Sequence, residues 1–326
     1  MHRIFDNTLT GLDNNLPSKE ELHLFCRLLT DIGVDAIMLS LPAYEKMGYL
    51  PEEGEYILRI DNPKDMERYP GFYRYVCPLD NYLGNIENMI PEISISTARE
   101  LIKLYSFNRH KELCITGLGD LMCFGFEKTM AEIKEVLTNT KIILNPDNTY
   151  HCASAAAVQW LLSYGSDAIM SFAGHSNNGS TEEVLMALRL AIRHKAGKDL
   201  TVLPKLTTLY ESISGKNIGN KKPIIGKNIF KVESGIHADA ISKNPATYEA
   251  YEPSSVGGRT ELVIGKHSGN KAVRMKLEEL KLPIPDEEGI QKLLEYIKGI
   301  CAANRGSLCD EEFADIAVKA GANERS

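Results

Sequence analysis

Short apolar runs alternate with stretches of helical spacing along the first two thirds of the chain, the pattern of successive βα units. The apolar runs predict strands over Arg3–Asn7, Ala36–Leu41, Tyr56–Ile60, Arg74–Pro78, Glu92–Ser96, Glu112–Gly117, Lys141–Asn145 and Ala168–Phe172. Eight such strands are the number a TIM-type (β/α)8 barrel requires. The first helix is well marked. Leu22, Phe25, Cys26 and Leu29 share one face, Ser18 and Glu21 form a capping-box pattern, and Gly33 stands where the helix should stop. Comparable patterns predict helices over Thr97–Phe107, Phe126–Leu137, Ala153–Tyr164 and Thr181–Lys195. Residues 43–92 differ: Pro and Tyr are dense, and the spacers are shorter than the dozen residues of a full crossover helix. The barrel is therefore expected to be contracted there.

Beyond the barrel pattern, Pro204–Ser214 reads as a helix ending at Gly215, and the basic, Gly/Asn-rich Lys216–Lys222 as a mobile loop. An irregular polar stretch follows from Gly235 to Gly269. Helical faces return with Val273, Leu277 and Leu280, and again with Ile290, Leu293, Leu294, Ile297 and Cys301. Asp310 is expected to cap a last helix through Lys319, and Ala320–Ser326 to fray. The expectation is an α/β chain in three segments: a barrel over 1–203, a linker subdomain over 204–270 and a small, mostly helical subdomain over 271–326. No further regulatory domain is expected.

Composition narrows the partners. Apolar residues make up 43% and charged residues 25%, as in ordinary globular proteins, and the net charge of −7 gives no basic footprint for nucleic acid. Seven scattered cysteines without a Cys-x-x-Cys pair point to reduced thiols, not a disulfide framework. No apolar run reaches the ~20 residues of a spanning helix, and the first residues lack the apolar core of a signal peptide. A cytoplasmic chain without membrane contact is expected.

The stretch Ser234-Gly-Ile-His-Ala-Asp-Ala-Ile241, Asn244-Pro-Ala-Thr-Tyr-Glu-Ala-Tyr-Glu-Pro253 and Val263-Ile-Gly-Lys-His-Ser-Gly269 carries most of the chemistry. On residue types alone it is an ordered loop whose histidines satisfy local hydrogen bonds. In order and spacing it resembles the post-barrel segment of the homocitrate synthase and 2-isopropylmalate synthase family, over Lys205 to about Val318. The resemblance implies a metal-bearing TIM barrel that condenses acetyl-CoA with a 2-oxo acid. It also implies that His237 and Tyr248 reach the active site of a neighbouring subunit. An imidazole there would move a proton, and a phenol would hydrogen-bond the enolate or pass a proton; either could be the base.

The same resemblance exposes losses. The family's Asp-Thr-Thr-Leu-Arg-Asp-Gly-Glu corresponds to Asp6-Asn-Thr-Leu-Thr-Gly-Leu-Asp13, which places Thr10 at the Arg position and Gly11 at the ligand Asp position. Met38 stands at the position of a family Glu. Counted back from Gly165, the His-x-His pair falls on Pro146 and Asn148, while Asn178 survives at the assisting Asn. Gly11, Pro146, Asn148 and Asn178 are thus the degenerate metal-site positions, and no metal is expected in this chain. A relocated site drawn from Asp147, His151 and His175 is the alternative. Asp239 would either orient His237 or cap a turn. Lys266 and His267 would line the acyl-CoA side, together with the Val256–Arg259 turn, and Ser268 is expected to cap the next helix.

These expectations combine into a subunit of a split homocitrate synthase, in nitrogen fixation or lysine-type biosynthesis. It would be inactive alone and would lend His237 and Tyr248 to a homologous partner whose intact barrel holds the divalent cation. A homodimer is the other assembly. Competing readings are an autonomous enzyme with metal-free or relocated lyase or aldolase chemistry, a pseudoenzyme regulating a true synthase, and a scaffold.

Overall fold

A computed structural model describes residues 2–323 of the chain apart from Leu83, Asn85, Asn108, Arg109, Phe124 and Arg305. The chain divides into two compact units, Met1–Ile225 and Gly226–Ser326. The helix at 203–214, grouped with the linker in the sequence reading, lies in the first unit.

The first unit is a closed barrel of eight described strands. They are β1 (Arg3–Asp6), β2 (Ala36–Leu39), β3 (Glu55–Arg59), β4 (Arg74–Pro78), β5 (Met89–Ile95), β6 (Glu112–Gly117), β7 (Lys141–Pro146) and β8 (Asp167–Met170). Each pairs in parallel with its successor, and β8 closes on β1 from Arg3↔Asp167 to Asp6↔Met170. All eight expected strands are present, β4 and β6 with the expected bounds and the other six with shifted ends. The barrel centre is filled by Phe5, Met38, Ile57, Val76, Ile90, Cys114, Ile143 and Ile169, the alternate inward positions of each strand.

Helices cover the barrel unevenly. Full-length crossovers are α1 (Lys19–Ile32), α4 (Phe126–Val136), α5 (Ala153–Ser163) and α6 (Thr181–Ile192). Ser18 and Glu21 form the reciprocal capping box, and Gly33 ends α1 at φ 106°. Over 43–92 the contraction is real. The helix after β2 is α2 (Leu41–Met47), that after β3 is the single turn α3 (Asp65–Arg68), and a 3-10 turn over Leu79–Asn81 follows β4. Aromatic side chains supply cover there: Phe72 meets Tyr44 and Tyr75 at ring separations of 4.9 and 5.7 Å, and Tyr44 meets Tyr69 at 5.9 Å. This cluster accounts for the density of tyrosine. The helix expected over Thr97–Phe107 is a 3-10 helix over Ala98–Phe107. On the opposite side, the buried Trp160 indole donates to the Asp167 carbonyl at 3.0 Å. A side chain at Gly165 would overlap that ring.

After α7 (Leu203–Ser214), which ends at a left-handed Gly215 as expected, Lys216–Lys222 is irregular. Its end is not loose. Lys222 Nζ donates to Ser180 Oγ at 2.8 Å and pairs with Glu183 at 2.7 Å and Glu182 at 3.4 Å.

The second unit pairs β9 (Lys231–Val232) with β10 (Glu261–Leu262) and adds α8 (Gly235–Lys243), α9 (Asn270–Glu279), α10 (Glu287–Asn304) and α11 (Asp310–Asn323). Ile264, Val273, Leu277, Ile290, Leu293, Ile297 and Phe313 form its core. Two expected caps are corrected. Ser268 lies one residue before the α9 cap, Gly269, and its hydroxyl instead accepts from Gly265 N and donates to the Glu233 carbonyl. Asp310 is already inside α11 and pairs with Lys276, while Cys309 and Glu312 exchange the capping contacts through Sγ and the carboxylate. Helix α11 continues to Asn323, past the start of the expected frayed tail; Glu324–Ser326 lie outside the described residues. Among the described residues, no helix is long and apolar enough to cross a membrane, and all seven cysteines are free.

Candidate functional site

The loops leaving the C-terminal ends of barrel strands form the face on which TIM-barrel chemistry is built. At the end of β1 the Asp6 carboxylate is fully buried. It accepts from Thr8 N at 2.9 Å and from Thr181 Oγ1 at 2.6 Å. Thr8 Oγ1 in turn accepts from Phe172 N at 2.7 Å, so the end of β1 is tied to the segment after β8. Burial pushes the Asp6 carboxyl up, against the opposing effect of these bonds. Thr10, expected at the family's Arg position, donates its hydroxyl to the Asn7 carbonyl, and Met38 packs in the barrel centre.

The segment after β8 has unusual backbone. Ala173, Gly174, Ser176 and Asn177 all take left-handed conformations, with φ between 54° and 71°. The three that are not glycine cost energy and persist only where the surroundings hold them. His175 lies among them and is 4% exposed. Its Nε2 faces the Gly11 carbonyl at 3.3 Å, and its Nδ1 faces the Tyr210 hydroxyl at 2.9 Å. A carbonyl only accepts, so Nε2 carries the hydrogen and Nδ1 accepts from Tyr210. Burial lowers the His175 pKa and raises that of Tyr210 to about 12, both favouring this neutral pair. Ala173 N donates to the Glu182 carboxylate at 2.9 Å. Glu182 is fully buried, and burial raises its pKa to about 7 although Lys222 opposes the shift.

The four positions expected to be degenerate lie in this mouth. Pro146 ends β7, and its side chain carries no ligating atom. Asn148 Oδ1 accepts from Ala153 N at the start of α5, and its own N–H donates to the Asn177 carbonyl. Asn178 Nδ2 donates to the His175 carbonyl at 3.0 Å and reaches Asn7 Oδ1 at 3.5 Å. Gly11 has no side chain, and a Cβ built on it would lie 2.7 Å from His175 Cδ2 and 2.8 Å from Nε2, closer still to Ser176 Oγ. These residues do not fit the hard, open coordination shell a catalytic divalent cation needs. The alternative trio is not assembled either. Asp147 is bound to Thr149 and Asn177, His151 is exposed at φ 58°, and both nitrogens of His175 are engaged. Among the described residues, no three His, Cys, Asp or Glu side chains cluster as metal ligands.

The second unit presents a different arrangement. The Ser234 hydroxyl accepts from His237 N to start α8. Gly235 is required by a close approach, since a Cβ there would lie 2.5 Å from Ala272 N of α9. Asp239 neither orients His237 nor caps a turn. It pairs with Lys243 at 2.8 Å and Lys271 at 2.7 Å, which fixes α8 to α9. The bonds from Lys243 and then Lys271 hold its carboxyl below the usual range. The 3-10 turn Pro245–Thr247 then returns Tyr248 beside His237, with ring centroids 5.1 Å apart. Both side chains are exposed, Tyr248 at 52% and neighbouring Ile236 at 71%. Thr260 donates to Glu249, bracing the returning chain. Lys266 and His267 are also exposed, but the His267 amide is not free for a ligand phosphate: it donates to Glu233, whose carboxylate lies where a Gly265 side chain would stand. The 3-10 turn Pro253–Val256 ends at left-handed Gly257, shaping the Val256–Arg259 corner.

The barrel is similar in fold to hydroxymethylglutaryl-CoA lyase from Pseudomonas aeruginosa, with a TM-score of 0.52 and 16% identity, covering 67% of this chain and 94% of that one. Residues 224–305 match the family described as homocitrate synthase post-HMGL domain-like. Over 302 residues the chain is 30% identical to the homocitrate synthase omega subunit of Clostridium pasteurianum, covering 86% of this chain and 85% of that one. It is also 35% identical over 184 residues to homocitrate synthase AksA of Methanothermobacter thermautotrophicus, a match that spans 46% of that protein. The chain belongs to the homocitrate synthase and 2-isopropylmalate synthase family.

Tyr210, Glu182 and Lys222 went unnoticed in the sequence. They sit in ordinary helical or basic contexts, and only the packing of α6, α7 and the chain after it brings them together near the segment after β8.

Proposed function

We propose that this chain is a subunit of a homocitrate synthase that joins acetyl-CoA to 2-oxoglutarate, and that it donates His237 and Tyr248 to the active site of a homologous partner. The exposed His237–Tyr248 pair carries the reading: the two family residues stand side by side on one surface, with no buried partner among their described contacts. In the partner's site the imidazole takes or returns a proton at the acetyl methyl group or at a water, and the phenol hydrogen-bonds the enolate oxygen. Lys266 and His267 lie on the acyl-CoA side. The divalent cation that polarises the oxo acid belongs to the partner's intact barrel, because the side chains at Gly11, Pro146, Asn148 and Asn178 offer no coordination shell. The similarity to an omega subunit over most of both chains supports a split enzyme.

The test is co-expression with an intact-barrel homologue from the same genome. The mixed protein is expected to make homocitrate while this chain alone makes none. Turnover by this chain alone, or a mixed complex indifferent to His237→Ala, would end the proposal.

A further inference from the structure

We infer that a side chain at position 11 and the native placement of His175 are mutually exclusive, because the imidazole occupies the space that such a side chain would need. Gly11 does not have a left-handed backbone, and nothing in its own conformation requires glycine. Its Cα–H nevertheless points at the edge of the His175 ring, at a separation no real Cβ tolerates. The Ser176 hydroxyl is exposed and can turn away; the ring cannot. It is bonded to Tyr210 on one side and to Gly11 on the other, and its extended backbone is flanked by the left-handed residues of a segment anchored by Ala173 on Glu182. Displacing the ring breaks both of its bonds at once. Glycine at 11 and the placement of His175 therefore depend on each other. A carboxylate placed at 11 by Gly11→Asp would force the segment 173–177 outward before it could ligate anything. This exclusion rests on barrel geometry alone and is independent of whether His237 serves a partner.

The test is a double-substitution cycle on the full chain, read by thermal melting and by histidine acylation with diethylpyrocarbonate. Where space is open, Gly→Ala at an ordinary backbone position raises stability. Here Gly11→Ala is expected to lower the melting midpoint by about 3–10 °C, the range for overpacking in a domain of this size. In a His175→Ala background the same substitution is expected to be neutral or stabilising. Acylation of His175 in the unaltered protein should be at least about tenfold slower than that of exposed His237, and Gly11→Ala should accelerate it. If Gly11→Ala does not fold alone but folds in the His175→Ala background, the exclusion is supported. Equal losses in both backgrounds, failure to fold in both, or His175 acylated as fast as His237 in the unaltered protein would overturn it.

Discussion

Two histidine–tyrosine pairs in this molecule contrast sharply. In the barrel mouth, His175 and Tyr210 are buried, bonded to each other, and shifted by burial toward their neutral forms. On the second unit, His237 and Tyr248 lie side by side in the open, with their neighbours braced beneath them. The first pair consumes its own hydrogen-bonding capacity and holds a segment in place. The second leaves its polar atoms available to another molecule. The same two residue types thus act as cement in one place and as presented chemistry in the other. Burial and the number of engaged nitrogens make the difference.

The largest effect should separate the two pairs by turnover. His237→Ala is expected to reduce homocitrate formation by the mixed complex on the order of 10²–10⁴-fold, the usual worth of a positioned acid–base group, with the melting midpoint unchanged because the side chain is exposed. Steady-state kinetics beside calorimetry would show it. If His175→Ala produced that loss instead, the roles assigned to the pairs would be reversed.

Next comes stability in the barrel mouth. Asp6→Ala leaves Thr8 N and the Thr181 hydroxyl without their buried acceptor and should cost about 2 kcal/mol in chemical denaturation. Turnover per assembled complex should not change.

A smaller, pH-dependent effect follows from Glu182. Its folded pKa, raised to about 7, means the folded chain holds this proton more tightly than the unfolded chain does. Its contribution to stability is complete below the ordinary carboxyl range and is lost as pH rises through about 7. Glu182→Gln should remove that component. The stability difference between variant and parent should therefore shift in the variant's favour as pH rises from acid to neutral. A difference that does not vary with pH would contradict the buried, proton-retaining environment.

The smallest effect belongs to Asp239. Its pairs with Lys243 and Lys271 are exposed and screened by salt. Asp239→Asn should leave melting nearly unchanged while lowering turnover of the mixed complex a few-fold through a looser α8. Identical kinetics in the variant would remove any positioning role.

Much of this architecture was readable in the order of residues. Alternation of apolar runs marked all eight barrel strands, even over 43–92, where the connections were too short for full crossover helices. Strand registers depend on inward apolar positions that recur every second residue, and such patterns survive in a linear reading. The capping box at Ser18 and the stop at Gly33 are equally local. Local rules failed at Ser268 and Asp310, because competing partners were remote in sequence or merely one residue away. Ser268 turned to Glu233, and Cys309 took the cap that Asp310 seemed to offer. Lys222 looked like part of a loose basic loop because its acidic partners come from α6.

The order of residues by itself determined the barrel, the contracted side, and the absence of imidazole and carboxylate at positions 11, 146 and 148, since these follow from periodicity and residue identity. Only the tertiary structure decided that His175 stands against Gly11, that Asp239 serves α9 instead of His237, and that His237 and Tyr248 meet in the open. Each of those outcomes depends on which groups converge in space and how much water remains around them. Neither quantity is a property of a segment taken alone.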